Sequence, residues 1–145
     1  MEDMAFFRGE TLRRWLPPSV RPVDEAVLPR RCWTLLALDR AGAARLAALG
    51  RAPLCRTVLL PQTEDAALLR ARQVVSCGLS SRCSLTLSGI SPRPVLCVQR
   101  RLTAADGTPV EPQDIPLPLR WGRLPPEALL LTAGAWLLAE GHIPE

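Results

Sequence analysis

Residues Arg31–Gly78 read RCWTLLALDRAGAARLAALGRAPLCRTVLLPQTEDAALLRARQVVSCG, and this stretch decides the fold. Arg31–Leu38 is a continuous apolar run of strand length. Asp39 follows as a helix N-cap. Arg40–Leu49 is rich in Ala and Leu, with Ala43, Leu46 and Leu49 at helical spacing and Gly50 as a stop. Leu54–Leu60 is a second strand, ended by Pro61. Thr63 is placed to cap a helix over Glu64–Arg72, whose first turn is acidic. Gln73–Cys77 is a third strand, closed by Gly78. A β-α-β-α-β alternation of this kind implies an α/β fold with a mostly parallel sheet.

Outward from this core the pattern changes. Ser84–Leu87 alternates like a strand, and Val95–Leu102 is a clearer one. Asp106–Gly107 sits in a hairpin-type turn, because Gly supplies positive φ at no steric cost. Val110–Leu117 returns as a proline-interrupted partner and so reads as an edge strand. Glu127–Glu140 (EALLLTAGAWLLAE) is a helix apolar on most faces, begun by Pro125–Pro126 and ended by Gly141. A helix this apolar must be buried, against its own sheet or another subunit. Residues 1–30 read as an N-terminal arm, with Leu12, Trp15 and Leu16 on one face of a short helix stopped by Pro17–Pro18. Residues 31–145 form a single α/β domain.

Composition narrows the function. The chain has 145 residues, 48% of them hydrophobic, enough for one real core. All 18 basic residues are arginine, and tyrosine is absent. No Schiff-base lysine, lysine base or phosphate-loop lysine can exist. The single histidine, His142, excludes mechanisms needing two imidazoles. The net charge of +4 is spread over scattered arginine pairs rather than one run, which argues against nucleic acid as the partner. Five cysteines include no C-x-x-C spacing and read as small buried hydrophobes in a reducing cytoplasm. No signal peptide and no run of membrane-spanning length is present, so the expected location is cytoplasmic.

No phosphate loop, dinucleotide fingerprint or nucleophile elbow occurs. No catalytic residue, metal ligand or cofactor is therefore assigned. The most enzyme-like spot is Ser76–Ser81 after the third strand, because open α/β sheets bind ligands beyond strand carboxyl ends. Cys77, Gly78 and Ser80 are ligand-binding candidates there, and Asp39 is another at the preceding strand end. Asp39 is equally explained as a helix cap. Arg100 and Arg101 are placed to meet an acidic ligand beside the Val95–Leu117 hairpin. Trp15 and Trp136 are the candidate contacts for a second copy or another protein.

Four segments carry a family resemblance. Val74–Ser80 (VVSCGLS) resembles a strand of the central domain of Mur ligases, with Cys77 where that family has an aromatic. Leu35–Asp39 (LLALD), Ile115–Gly122 (IPLPLRWG) and Glu127–Glu145 (EALLLTAGAWLLAEGHIPE) resemble further segments of that domain, in the family's order. The family's phosphate-loop strand and helix would precede residue 32, where only the arm lies. Its His-Asn pair is replaced by Leu124–Pro126, and its modified lysine has no counterpart. The resemblance therefore implies a sheet without ligase chemistry, acting as a binding or interaction module. Separately, Pro94–Leu117 is similar to the hairpin of UTRA effector-binding domains. That likeness implies a small-molecule site for an acidic effector.

Overall fold

The computed structural model describes residues 3–50, 53–62 and 70–145. Its strands are β1 (Met4–Phe7), β2 (Arg21–Val23), β3 (Trp33–Leu38), β4 (Leu54–Pro61), β5 (Arg70–Cys77), β6 (Leu85–Gly89), β7 (Val95–Val98), β8 (Leu102–Thr103), β9 (Pro109–Val110) and β10 (Gln113–Pro116). Its helices are α1 (Arg40–Leu49) and α2 (Pro126–Glu140). Eight strands make one sheet in the order β10-β7-β6-β5-β4-β3-β1-β2, and β8 pairs only with β9. The pairings from β2 across to β6 are parallel, and those of β7 with β6 and β10 are antiparallel. The fold is α/β, mostly parallel, with a separate hairpin and a C-terminal helix.

The two faces of the sheet follow from strand alternation. On one face Phe6, Leu35, Ala37, Leu59, Val75, Leu85 and Leu96 pack against α2. On the other, Phe7, Leu36, Leu38, Val58 and Leu60 pack with Ala43 and Leu46 of α1. The helix α2 presents buried residues at almost every position from Leu129 to Leu138. Its outer side is covered within the chain, since the Ala105 N–H donates to the Leu138 carbonyl at 2.7 Å. Ser19 also donates to Glu140, at 2.6 Å.

Several expected boundaries shift. The 1–30 segment does not stand apart as an arm. Met4–Phe7 is buried throughout and lies between β2 and β3. A fully buried parallel strand needs a continuous apolar run, and MAFF is one, only very short. Leu12, Leu16 and Val20 join the core beneath α2, and Gly9–Leu12 is a 3₁₀ turn. Of the helix expected over Glu64–Arg72, residues 63–69, including Thr63, lie outside the described residues. Arg70–Arg72 begin β5 instead, with Arg70 opposite Leu54 and Ala71 opposite Cys55. The run Val95–Leu102 breaks at Gln99, whose N–H turns to the Ser84 carbonyl at 2.8 Å. On its outer side β7 pairs with β10, an edge strand. The Asp-Gly turn instead joins the small β8–β9 pair, with Gly107 at φ 90°.

A parallel connection normally returns the chain along the sheet and needs a dozen residues or more. Here β5 and β6 pair at a single position, Cys77 with Leu85. The chain steps sideways through residues 78–84 and continues outward. The antiparallel strands β6, β7 and β10 therefore extend beyond the carboxyl end of β5.

Candidate functional site

The strand order reverses between β1 and β3, since β1 leads outward to β2 while β3 leads the other way to β4 and β5. In doubly wound sheets the crevice at such a switch point, beyond the strand carboxyl ends, holds the ligand. Phe7–Arg8 and Leu38–Asp39 border it here.

This crevice is packed with the chain's own groups. The Asp39 carboxylate accepts the Gly42 N–H at 2.6 Å and caps α1. A Cβ added to Gly42 would sit 3.1 Å from both Asp39 Oδ1 and Phe7 Cδ2, and 3.5 Å from the Phe7 carbonyl oxygen. The first turn of α1 is thus pressed onto the end of β1. After β1, a Cβ on Gly9 would lie 2.6 Å from the Phe6 ring, so this turn folds onto the core instead of forming an open cradle. Arg8 donates to Glu25 at 3.3 Å. Arg40 donates through Nε and Nη2 to Glu127 Oε1 at 3.1 and 2.8 Å, tying the start of α1 to the start of α2.

The same economy governs the end of β5. Cys77 is 1% exposed. Burial first, then the nearby Glu127 charge and the Cys83 thiol, push its pKa up to about 12, against a smaller opposing effect of Arg40. A thiol so protonated at neutral pH is a poor nucleophile. Gly78 passes close to Cys83, whose sulfur lies 3.0 Å from where a Gly78 Cβ would be. The Cys83 thiol donates to Gln62 Oε1 at 3.3 Å. Ser80 accepts the Arg82 N–H through its hydroxyl, and its carbonyl accepts from Gln99. The structure therefore gathers Asp39, Cys77, Gly78 and Ser80 along one edge and engages each within the fold.

The other candidates lie elsewhere. Arg101 pairs with Glu111 at 3.0 Å, and Arg100 donates to the Arg82 carbonyl at 2.8 Å. Trp15 and Trp136 are both half-buried, and the Trp136 indole donates to the Trp15 carbonyl. No group of three or more His, Cys, Asp or Glu among the described residues is placed to hold a metal ion. None of the described helices is long and apolar enough to cross a membrane.

Among the described residues, the opposite edge of the sheet is open. A cleft of about 1060 Å³ lies where β3, β4 and β5 begin, lined by Glu25, Leu28, Arg30, Arg31, Cys32, Leu46, Leu49, Leu54 and Arg70, with Pro29, Gly50 and Pro53. A shallower depression of about 580 Å³ shares Cys32, Leu54 and Arg70 and adds Arg56 and Arg72. Sequence reading missed this cleft. Its residues come from connections and strand starts separated in the chain, and only the sheet order brings them together.

Comparison with known proteins found no matching family model, no matching curated protein and no matching solved structure.

Proposed function

We propose that this chain is a non-catalytic binding domain, related in plan to a Mur-ligase central domain whose nucleotide edge is closed. The observation that carries the reading is the Asp39–Gly42 contact at the switch point, where a phosphate would have to displace the first turn of α1. The Arg40–Glu127 pair supports it, by holding the starts of α1 and α2 together over the same edge. The protonated, buried Cys77 supports the absence of covalent chemistry there. The parallel pairing of β3, β4 and β5 is the arrangement that the Mur-like reading requires.

The test is thermal unfolding with and without MgATP or MgADP at millimolar concentration. A ligand at a hundred times its Kd stabilises the native state by about 2.7 kcal/mol. Such a shift amounts to several degrees of Tm for a domain of this size. The reading requires no nucleotide-dependent shift that arises at the carboxyl edge. A clear shift that disappears on replacing Gly42 by valine would overturn it.

A further inference from the structure

We propose that the cleft at the amino edge of the parallel strands is a binding site for a small anionic molecule with an apolar body, such as an organic phosphate or carboxylate. Its size, just above the range of roughly 300–1,000 Å³ for small-molecule sites, leaves room for that class. Its lining has two chemistries. Leu28 and Leu46 are buried in its floor, while Leu49 and Leu54 remain 39% and 54% exposed. Exposed leucines beside buried ones in one concavity give an apolar surface that a ligand would cover.

The charged lining is unbalanced. Among the described residues that line the cleft the one carboxylate is Glu25, and it already accepts from Arg45 at 2.8 Å and Arg8 at 3.3 Å. Arg31 is held by Asp3 at 3.1 Å. Arg30 and Arg70 form no ion pair with any described carboxylate, and neither do Arg56 and Arg72 in the adjoining depression. Guanidinium groups bind phosphate and carboxylate through paired N–H donors, which favours an anion over a neutral ligand. The proposal goes beyond the closed carboxyl edge and does not depend on it, since the two edges lie at opposite ends of the strands.

The experiment uses the intact chain and isothermal titration with 1-naphthyl phosphate, inorganic phosphate and 1-naphthol. The expected result is one site for 1-naphthyl phosphate, bound at least about tenfold more tightly than either partial probe, since both parts of the cleft contribute. The double substitution Arg30→Gln/Arg70→Gln, and separately Leu54→Gln, should each weaken binding at unchanged Tm. Bound ligand should also slow the reaction of the exposed Cys32 with a disulfide reagent, because Cys32 lines the cleft. The proposal is overturned if inorganic phosphate binds as well as the aryl phosphate, or if no binding is detected. It is overturned equally if affinity and Cys32 reactivity are indifferent to the arginine substitutions.

Discussion

The indole N–H of Trp136 donates to the main-chain carbonyl of Trp15 at 2.7 Å. This bond joins the segment after β1 to the last helix. Both residues also pack against the core beneath α2. The pair is therefore a clasp within the chain. Trp136→Phe keeps most of the packing and removes the donor, leaving a half-buried carbonyl without it. The expected loss is about 1 kcal/mol of unfolding free energy in urea, with no change of molecular mass by sedimentation equilibrium. A dimer that dissociates on this substitution would place Trp136 in an interface instead.

Asp39 serves α1 as its cap. Asp39→Ala should cost about 1 kcal/mol, while Asp39→Asn or Asp39→Ser should retain most of the stability, because each can still accept from the α1 amides. Denaturant titration of the three variants checks this. Equal losses in all three would mean that the carboxylate charge, rather than capping, matters at this position.

Two positions on α2 respond in opposite directions. The Thr132 hydroxyl is fully buried and has no hydrogen-bond partner among the described residues. Thr132→Val keeps the shape and removes the stranded oxygen, so stability should rise by about 1 kcal/mol. Two residues on, a Cβ at Gly134 would lie 2.9 Å from Leu59 and Leu85 side-chain carbons, both fully buried. Gly134→Val should cost about 1–3 kcal/mol by overpacking, despite relieving the intrinsic penalty of glycine in a helix. Parallel Tm measurements distinguish the signs.

Alkaline pH gives a test peculiar to this composition. The chain has no lysine and no tyrosine, so cysteines dominate titration between the N-terminal amine and arginine. Burial lifts Cys77 from 9.0 to about 12, and burial with the neighbouring Cys32 lifts Cys55 from 9.0 to about 11. Both folded-state values lie above the unfolded ones. The stabilisation is thus fully present below about pH 9 and is lost as pH rises toward 11 and 12. Each such thiol steepens the loss by about 1.4 kcal/mol per pH unit. Urea unfolding under reducing conditions from pH 8 to 11 should show this decline, and Cys77→Val should flatten it. Constant stability up to pH 10.5 would contradict it.

Much of the fold is legible in the sequence, and the reasons are local. Trp33–Leu38, Asp39 and Gly50 state a strand, a cap and a stop by residue type alone, and α2 announces its burial by its composition. The strand Met4–Phe7 was missed because four apolar residues between Asp3 and Arg8 carry no periodicity, and its place depends on pairing with β3. The carboxyl-edge candidates share an edge because Asp39 follows β3, Cys77 ends β5 with Gly78 next, and the two strands run parallel. That their polar groups are engaged internally depends on partners as distant as Gln99, which donates to the Ser80 carbonyl. The amino-edge cleft was invisible for the same reason, since Arg30 and Arg70 become neighbours of one concavity only through the sheet.

We propose that ligands meet the chain at its amino edge and not at its carboxyl edge. An amide ¹H–¹⁵N titration of the intact protein with 1-naphthyl phosphate tests it most directly. The expected shifts cluster at Arg30–Trp33, Leu49, Leu54 and Arg70, with Arg8, Asp39, Gly42 and Gly78 unmoved. Shifts centred on Arg8, Asp39 and Gly42, with the amino edge silent, would contradict the account.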